Sequence, residues 1–136
     1  MPTRLPHSKS CRHGTATVEF AVIAPLFIFL VLGMIELGRG INVQHSLLNA
    51  ARAGCRVGIT DGATEDDISD RVADNLAGTG ITTYNVSVSP GPLSSALNGD
   101  AVSVTVSATY ADVNWVPTPR FLADRTVSGF CSLPRE

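Results

Sequence analysis

The hydrophobic residues of this chain are concentrated in one uninterrupted run near the N-terminus. No residue from Phe20 to Ile35 carries a charge, and residues 1–14 before the run hold three Lys or Arg and no acid. A helix over residues 15–35 would be about 31 Å long, which matches the ~30 Å hydrocarbon core of a bilayer. The pattern predicts a transmembrane helix over residues 15–37, with the basic segment kept in the cytoplasm by the positive-inside rule.

A cleaved secretory signal peptide is the main alternative to a retained anchor. The apolar region of a signal peptide is shorter and ends in small residues of the A-x-A kind. This run ends instead in the stretch from Met34 to Arg39 (MIELGR), which offers no such site. We therefore expect a retained single-pass anchor, with the chain beyond it on the far side of the membrane.

The pattern changes after the membrane segment. Leu47, Ala51 and Cys55 recur at helical spacing between polar residues. Residues 38–59 are therefore predicted to continue the helix with one apolar face. The expected result is one long N-terminal helix, whose second half serves as a spine for the domain that follows.

Residues 60–136 are predicted to form a small domain that begins with a helix. Thr64 suits the N-cap of a helix with an acid in its first turn, and Gly78 suits the end of that helix. The apolar residues between them fall on one face, at i, i+4 and i+8: Ile68, Val72 and Leu76.

Alternation of apolar and polar residues predicts a sheet after this helix. Strict alternation over 84–89 and 102–110 is typical of half-buried antiparallel strands, and a further strand is expected over 125–132. Two prolines interrupt residues 113–122, which are predicted to form a loop. The expected fold class is α+β: a long N-terminal transmembrane and spine helix followed by a small helix-plus-antiparallel-sheet extracytoplasmic domain.

One acid, Glu19, lies at the N-terminal edge of the apolar run, where a charge deep in hydrocarbon costs roughly 2.5–3.5 kcal/mol. The local pattern is Gly14, four residues, Glu19 and then Phe20. Glycine at a cleavage site lets the peptide bond lie close to a protease. Cleavage there would leave an ammonium on Thr15, which shares a helix face with Glu19, so the two charges could neutralise each other. Simple solvation of Glu19 at headgroup depth is the alternative.

This junction resembles the type IV prepilin class, and most closely the TadE-like pseudopilins of the Tad branch. The stretch from Val18 to Arg39 resembles the opening of those proteins, including the proline inside the apolar run. The stretch from Asn49 to Arg56 (NAARAGCR) resembles a segment that follows in the same family.

The resemblance implies a processing site and an assembly residue. A prepilin peptidase would cut between Gly14 and Thr15 and remove residues 1–14 as a leader. Glu19, followed by Phe20, would pair with the N-terminus of an adjacent subunit and set the axial register of assembly. The partners implied are the prepilin peptidase, other pilins or pseudopilins, the Tad membrane platform and the lipid bilayer. The implied location is the bacterial inner membrane, with the N-terminus cytoplasmic and the C-terminal domain periplasmic or extracellular.

Two further features leave alternatives open. Pro25 is expected to be either a kink that helps subunits leave the bilayer or an ordinary transmembrane proline. Cys55 and Cys131 lie beyond the membrane segment, whereas Cys11 lies in the leader. The first two are expected either to pair as a disulfide that ties the last strand to the spine helix or to be separate small buried residues.

No enzymatic chemistry is expected. The sequence has no Gly-rich phosphate loop, nucleophile elbow or zinc pattern, and a net charge of −2 without a basic stripe for nucleic acid. The acids between Asp61 and Asp74 lack EF-hand spacing, and His7, Cys11 and His13 lie in the predicted leader. We therefore expect no cofactor, no metal and no small-molecule substrate.

These features together favour a membrane-anchored minor pseudopilin that contributes to assembly of a Flp/Tad-type pilus or a related secretion filament. Two alternatives stay open. One is an uncleaved single-pass anchor that carries a small periplasmic binding module unrelated to pili. The other is a subunit of a cell-surface or secretion complex that has adopted the pseudopilin anchor.

Overall fold

The computed structural model describes residues 12–95, 97, 99–113 and 125–135. In this part of the chain a long helix comes first, a shorter helix follows, and three strands alternate with two short helical segments. The elements are α1 (Arg12–Gly58), α2 (Glu65–Leu76), β1 (Asn85–Ser89), a 3-10 turn (Leu93–Ser95), β2 (Ala101–Thr109), α3 (Tyr110–Val113) and β3 (Thr126–Pro134). The predicted α+β fold, with an N-terminal spine helix and an antiparallel sheet, is confirmed.

Helix α1 is continuous through the apolar run and the segment beyond it. The chain forms two compact units that divide between Ile35 and Glu36. An 18-residue window of α1 has a mean hydropathy of 2.5 and none of it is buried, so by length and composition α1 is able to cross a membrane. In the first unit Phe20 and Phe29 are 72% and 73% exposed, as is expected of side chains that contact lipid.

The second unit contains a three-stranded antiparallel sheet in the order β1-β2-β3. In the centre of the sheet, Val104 of β2 pairs with Val88 on one side and with Cys131 on the other. Four apolar residues of β2 are buried and the Ser and Thr residues between them are half-buried; the buried residues are Val102, Val104, Val106 and Ala108. The alternation predicted for this strand is therefore confirmed, and it gives the sheet one apolar face.

The apolar face of the sheet packs against both helices. Helix α1 contributes Leu47, Ala51 and Cys55, which are fully buried. Among the described residues no polar or charged side chain is buried, so shape complementarity holds this core together. Helix α2 contributes its predicted apolar row: Ile68, Val72 and Leu76.

Two glycines of α1 let the elements of the core approach closely. A Cβ on Gly54 would lie 3.1 Å from methyl carbons of Ile68 and Val72, and one on Gly58 would lie 3.0 Å from Ile68 Cδ1. These distances are shorter than the ~3.5–4.0 Å of an ordinary carbon contact. An added methyl group at either position would therefore require the Ile68 or Val72 side chain to shift by a few tenths of an ångström.

Strand β3 lies directly on the backbone of α1 at Gly129. A Cβ built on Gly129 would overlap the carbonyl of Leu47 and the amide of Leu48. Gly129 is buried and pairs with Val106 in the sheet. Glycine is required here by space, because no side chain fits between the strand and the helix.

The ends of α2 follow the predicted signals. The Thr64 hydroxyl accepts a hydrogen bond from the Asp67 amide at 3.3 Å, and the Asp67 carboxylate accepts one from the Thr64 amide at 2.9 Å. This reciprocal pair is a capping box. The helix ends at Leu76, and Gly78 has a φ of +80°, which glycine adopts without steric cost.

The end of β2 differs from the prediction. The strand ends at Thr109, and Tyr110 begins the short helix α3 instead of closing the strand. The alternation of side chains nevertheless continues one residue beyond the strand. The Tyr110 side chain still points toward α1, where its hydroxyl donates a hydrogen bond to Glu36.

The predicted bounds of the last strand and of the loop before it can also be compared with the structure. Strand β3 covers Thr126–Pro134, which starts one residue later and ends two residues later than predicted. Of the predicted loop over 113–122, Val113 ends α3, and residues 114–122 lie outside the described part of the chain.

Candidate functional site

The predicted processing site lies in the first turn of α1. The helix begins at Arg12, so Gly14 and Thr15 are helical, and both are exposed. A Cβ on Gly14 would meet nothing within 4 Å. Glycine costs a helix about 1 kcal/mol relative to alanine. This turn can therefore open at small cost into the extended form that proteases bind.

Glu19 and Phe20 lie one helical turn beyond the predicted cleavage site. Glu19 is exposed, and Thr15, four residues earlier, lies on the same face of α1. Phe20 is also exposed, within the apolar surface of the first unit. The side chain of Glu19 is therefore open to the surroundings of the helix.

Pro25 lies inside α1, and the helix continues on both sides of it. Proline has no amide hydrogen, so one bond of the i to i−4 ladder is missing at this position. A kink at Pro25 that helps the subunit leave the bilayer stays a prediction.

A polar contact lies just beyond the apolar run. The Tyr110 hydroxyl donates a hydrogen bond to Glu36 Oε1 at 3.0 Å, and the Tyr110 ring lies 3.7 Å from where a Cβ on Gly40 would be. Burial raises the pKa of Tyr110, and the Glu36 carboxylate raises it further, whereas Arg39 lowers it. Sequence reasoning missed this contact. The sequence did hold one signal for it: Glu36 follows directly after the apolar run, and Gly40 lies one helical turn further along.

The two cysteines beyond the apolar run come together in the core. Cys55 Sγ donates its hydrogen to the carbonyl oxygen of Cys131 at 3.1 Å, and it lies 3.7 Å from the carbonyl oxygen of Val102. Both cysteines are free thiols, with Cys55 buried and Cys131 half-buried. Burial raises the pKa of the Cys55 thiol to about 12, and the Cys131 side chain adds to this rise. The structure therefore brings the predicted pair together, while the disulfide itself stays a prediction.

A polar groove of about 920 Å³ lies between α1 and α2. Sites for small molecules are usually enclosed and mostly apolar, and this groove is open and charged. The charged residues of the walls are Arg52, Arg56, Asp61, Asp67, Asp70, Arg71 and Asp74.

The described residues contain no group of three or more His, Cys, Asp or Glu side chains arranged to hold a metal ion. His7 and Cys11 lie outside the described part of the chain, and the side chain of His13 does too. Metal binding therefore has no candidate among the side chains whose positions are given.

A family model described as TadE-like protein matches residues 14–56. The match starts at the glycine of the predicted cleavage site and ends near the end of α1, so it covers the apolar run and the core-facing part of that helix. No curated protein and no solved structure matches the chain. The family match confirms the resemblance drawn from the Gly14–Phe20 junction and the Asn49–Arg56 segment.

Proposed function

We propose that this chain is a membrane-anchored minor pseudopilin that contributes to assembly of a Flp/Tad-type pilus or a related secretion filament. One observation carries the proposal. Within the TadE-like segment, an exposed Gly14-Thr15 bond and an exposed Glu19 precede a helix whose apolar side chains are open to the surroundings. This combination suits a subunit that is processed at its N-terminus and then packs sideways against other helices.

The proposed topology follows from charge and hydropathy. The basic segment before the apolar run stays in the cytoplasm, the first unit crosses the inner membrane, and the second unit lies in the periplasm or outside the cell. A prepilin peptidase, acting at the cytoplasmic face, then cuts between Gly14 and Thr15.

The proposed assembly step pairs two charges in an apolar setting. The new ammonium of Thr15 in one subunit meets the Glu19 carboxylate of another, which offsets the desolvation of both groups. Because an unpaired carboxylate in hydrocarbon is costly, only the axial position that brings the two charges together is stable. The partners proposed are other pilins or pseudopilins and the Tad membrane platform, within the lipid bilayer.

A second candidate function is favoured by the groove between α1 and α2. An uncleaved anchor could present this charged groove as a small periplasmic binding module without any role in pili. The two functions differ in one measurable respect, since only the pseudopilin loses its first fourteen residues.

Intact mass and N-terminal sequencing of the protein extracted from membranes test the proposal. In cells with an active prepilin peptidase, the mature chain should begin Thr15-Ala16-Thr17. A strain with an inactive peptidase should keep Met1, as should a Gly14→Leu variant, while Gly38→Ala serves as a glycine control away from the cleavage site. Retention of Met1 in the presence of the active peptidase would contradict the pseudopilin function and favour the uncleaved anchor.

A further inference from the structure

We propose that Cys55 and Cys131 form a disulfide bond in the exported protein and that this bond fastens β3 to α1. The inference rests on the extracytoplasmic location proposed above, because disulfides form and persist in oxidising compartments. It adds a covalent modification that the pseudopilin function does not itself require.

The strand and the helix are already held within reach of each other. Cys55 Sγ lies 3.1 Å from the carbonyl oxygen of Cys131. Two residues earlier in β3, Gly129 lies on the backbone of Leu47 and Leu48. The two contacts show that β3 runs along α1 in the same direction, from Gly129 at Leu47 to Cys131 at Cys55. The side chain of a helical residue points back toward the N-terminus of the helix, so the Cys55 sulfur is displaced toward the strand residue that it contacts.

The register of the sheet turns the Cys131 side chain toward the helix. Cys131 pairs with Val104, whose side chain is fully buried in the core. Directly paired residues of antiparallel strands point to the same face of a sheet. The Cys131 side chain therefore lies on the face that packs against α1, where Cys55 is buried.

The bond would form by two exchanges with a protein oxidant that carries a reactive disulfide. The Cys131 thiolate attacks one sulfur of that disulfide, which forms a mixed disulfide and releases one thiolate on the oxidant. The Cys55 thiolate then attacks the Cys131 sulfur and releases the second oxidant thiolate. Cys55 and Cys131 together lose two electrons and two protons, and the oxidant leaves as a dithiol.

Burial decides when these exchanges take place. Cys55 is fully buried and burial raises the pKa of its thiol, so in the folded protein very little of it is present as the thiolate that exchange requires. The bond should therefore form during folding, before α1 and β3 close over the sulfur. Reagents that reach the folded protein should oxidise or reduce the pair slowly for the same reason.

Mass spectrometry of the full-length protein extracted from membranes tests the disulfide. Cells are quenched in acid, free thiols are alkylated in denaturant without reductant, and the protein is digested with trypsin. The disulfide predicts that the peptides Ala53–Arg56 and Thr126–Arg135 are linked and that they separate on reduction. Alkylation of both cysteines in the exported protein would overturn the proposal.

Further measurements separate this proposal from the proposed function. Cys11→Ser removes the third cysteine and should leave the linked peptides unchanged. Protease digestion of spheroplasts reports whether the second unit has been exported. An accessible unit with free thiols rejects the disulfide alone, and a protected unit rejects the location on which both proposals depend. A retained leader together with linked peptides rejects pseudopilin processing and supports the disulfide.

A stability measurement keeps the test independent of how well variants fold. The bond would close a loop between residues 76 positions apart, so the oxidised wild-type protein should melt about 10 °C or more above the reduced form. Cys131→Ser should melt with the reduced wild type and should not respond to reductant. Equal melting temperatures for the oxidised and reduced wild type would contradict a bond that fastens β3 to α1.

Discussion

Tyr110 donates its phenolic hydrogen to Glu36 across 74 positions of sequence, with 3.0 Å between the two oxygens. The bond joins the end of β2 to the part of α1 that follows the apolar run. It leaves Glu36 half-buried and gives its carboxylate a partner in the same unit. The contact therefore fixes where the C-terminal end of β2 lies along α1.

Removal of the Tyr110 hydroxyl should loosen this end of the sheet. We expect Tyr110→Phe to lower the free energy of unfolding by about 1–2 kcal/mol, because the half-buried Glu36 carboxylate loses a hydrogen bond. Urea unfolding of the detergent-solubilised protein, followed by circular dichroism, measures the change. Tyr84→Phe is the matched control, since Tyr84 is also half-buried against the core. Equal losses for the two variants would show that the bond to Glu36 contributes nothing specific.

The same contact predicts a dependence on high pH. Burial and Glu36 raise the pKa of Tyr110 above its ordinary value of 10.0, so the folded state holds the phenolic proton more tightly than the unfolded state. This contribution to stability is complete below pH 10 and is lost as the pH rises through the raised pKa. The sequence contains two tyrosines, so Tyr84→Phe leaves Tyr110 as the single phenol to titrate by ultraviolet absorbance. A midpoint at or below that of the urea-unfolded chain would contradict the prediction.

Gly129 should be the glycine most sensitive to substitution in the second unit. We expect Gly129→Ala to lower the free energy of unfolding by about 3 kcal/mol or more, because the added methyl group overlaps the backbone of Leu47 and Leu48. Gly54→Ala should cost less, since its neighbours are side-chain methyl groups that can shift. Gly38→Ala, which meets nothing within 4 Å, should be neutral or slightly stabilising. A cost at Gly129 no larger than that at Gly54 would show that the strand can move aside.

The capping box of α2 predicts a dependence on low pH. The Thr64 hydroxyl, and then the Thr64 amide, lower the pKa of Asp67. A lowered pKa adds stability that is present above the unfolded pKa of about 3.9 and is lost as the pH falls through the folded value. Melting temperatures of the wild type and Asp67→Asn should therefore converge as the pH falls. Parallel curves for the two proteins would exclude a role of the ionised carboxylate.

The threonine of the same cap can be tested by substitution. Thr64→Ala removes both the acceptor for the Asp67 amide and the hydroxyl that donates to the Asp67 carboxylate, and it should destabilise the protein by about 1 kcal/mol. Thr82→Ala, at an exposed position outside the helices and strands, is the matched control and should change little. Comparable urea midpoints for the two variants would show that α2 does not depend on its cap.

Glu19 should matter for assembly more than for insertion. Under the proposed function, Glu19→Ala should insert and be processed normally but enter filaments or crosslinked complexes several-fold less than the wild type. Glu19→Asp keeps the charge and should retain part of the assembly. The control variant Asp66→Ala, at an exposed position in the second unit, should assemble like the wild type. Incorporation and crosslinking of subunits in membranes measure both steps. Unchanged assembly of Glu19→Ala would remove the register role.

Local patterns were enough to predict the two longer helices and the three strands of this fold, although not the 3-10 turn or α3. The charge-free run, the Thr64 cap with its apolar row, and the alternation over β2 each depend on residues close together in sequence. Helix propensity, capping and strand periodicity act over the same short range, so the structure agrees with them. The strand ends were less predictable, because Tyr110 continues the alternation of β2 after the strand has ended.

Contacts between distant parts of the chain were harder to predict. Nothing local marks Gly129 as the residue that lies on Leu47, and the local signal at Glu36 does not identify Tyr110 as its partner. These contacts depend on how the sheet is placed on α1, which no short-range rule determines. The candidate assembly site could be predicted because its parts are local: Gly14, Glu19 and the apolar run are close together in the sequence. Its assembly role stays a prediction, because it depends on other chains.

The wall that α1 contributes to the core determines how a water-soluble fragment should be designed. A fragment that starts at Thr60 would leave the inner face of the sheet and the apolar row of α2 uncovered, and it should aggregate when expressed. A fragment that starts at Glu36 would omit the first unit with its exposed apolar side chains and keep every buried side chain given for the second unit, together with the acceptor for Tyr110. Crystallisation or solution NMR of the domain should therefore begin from the residue at which the apolar run ends.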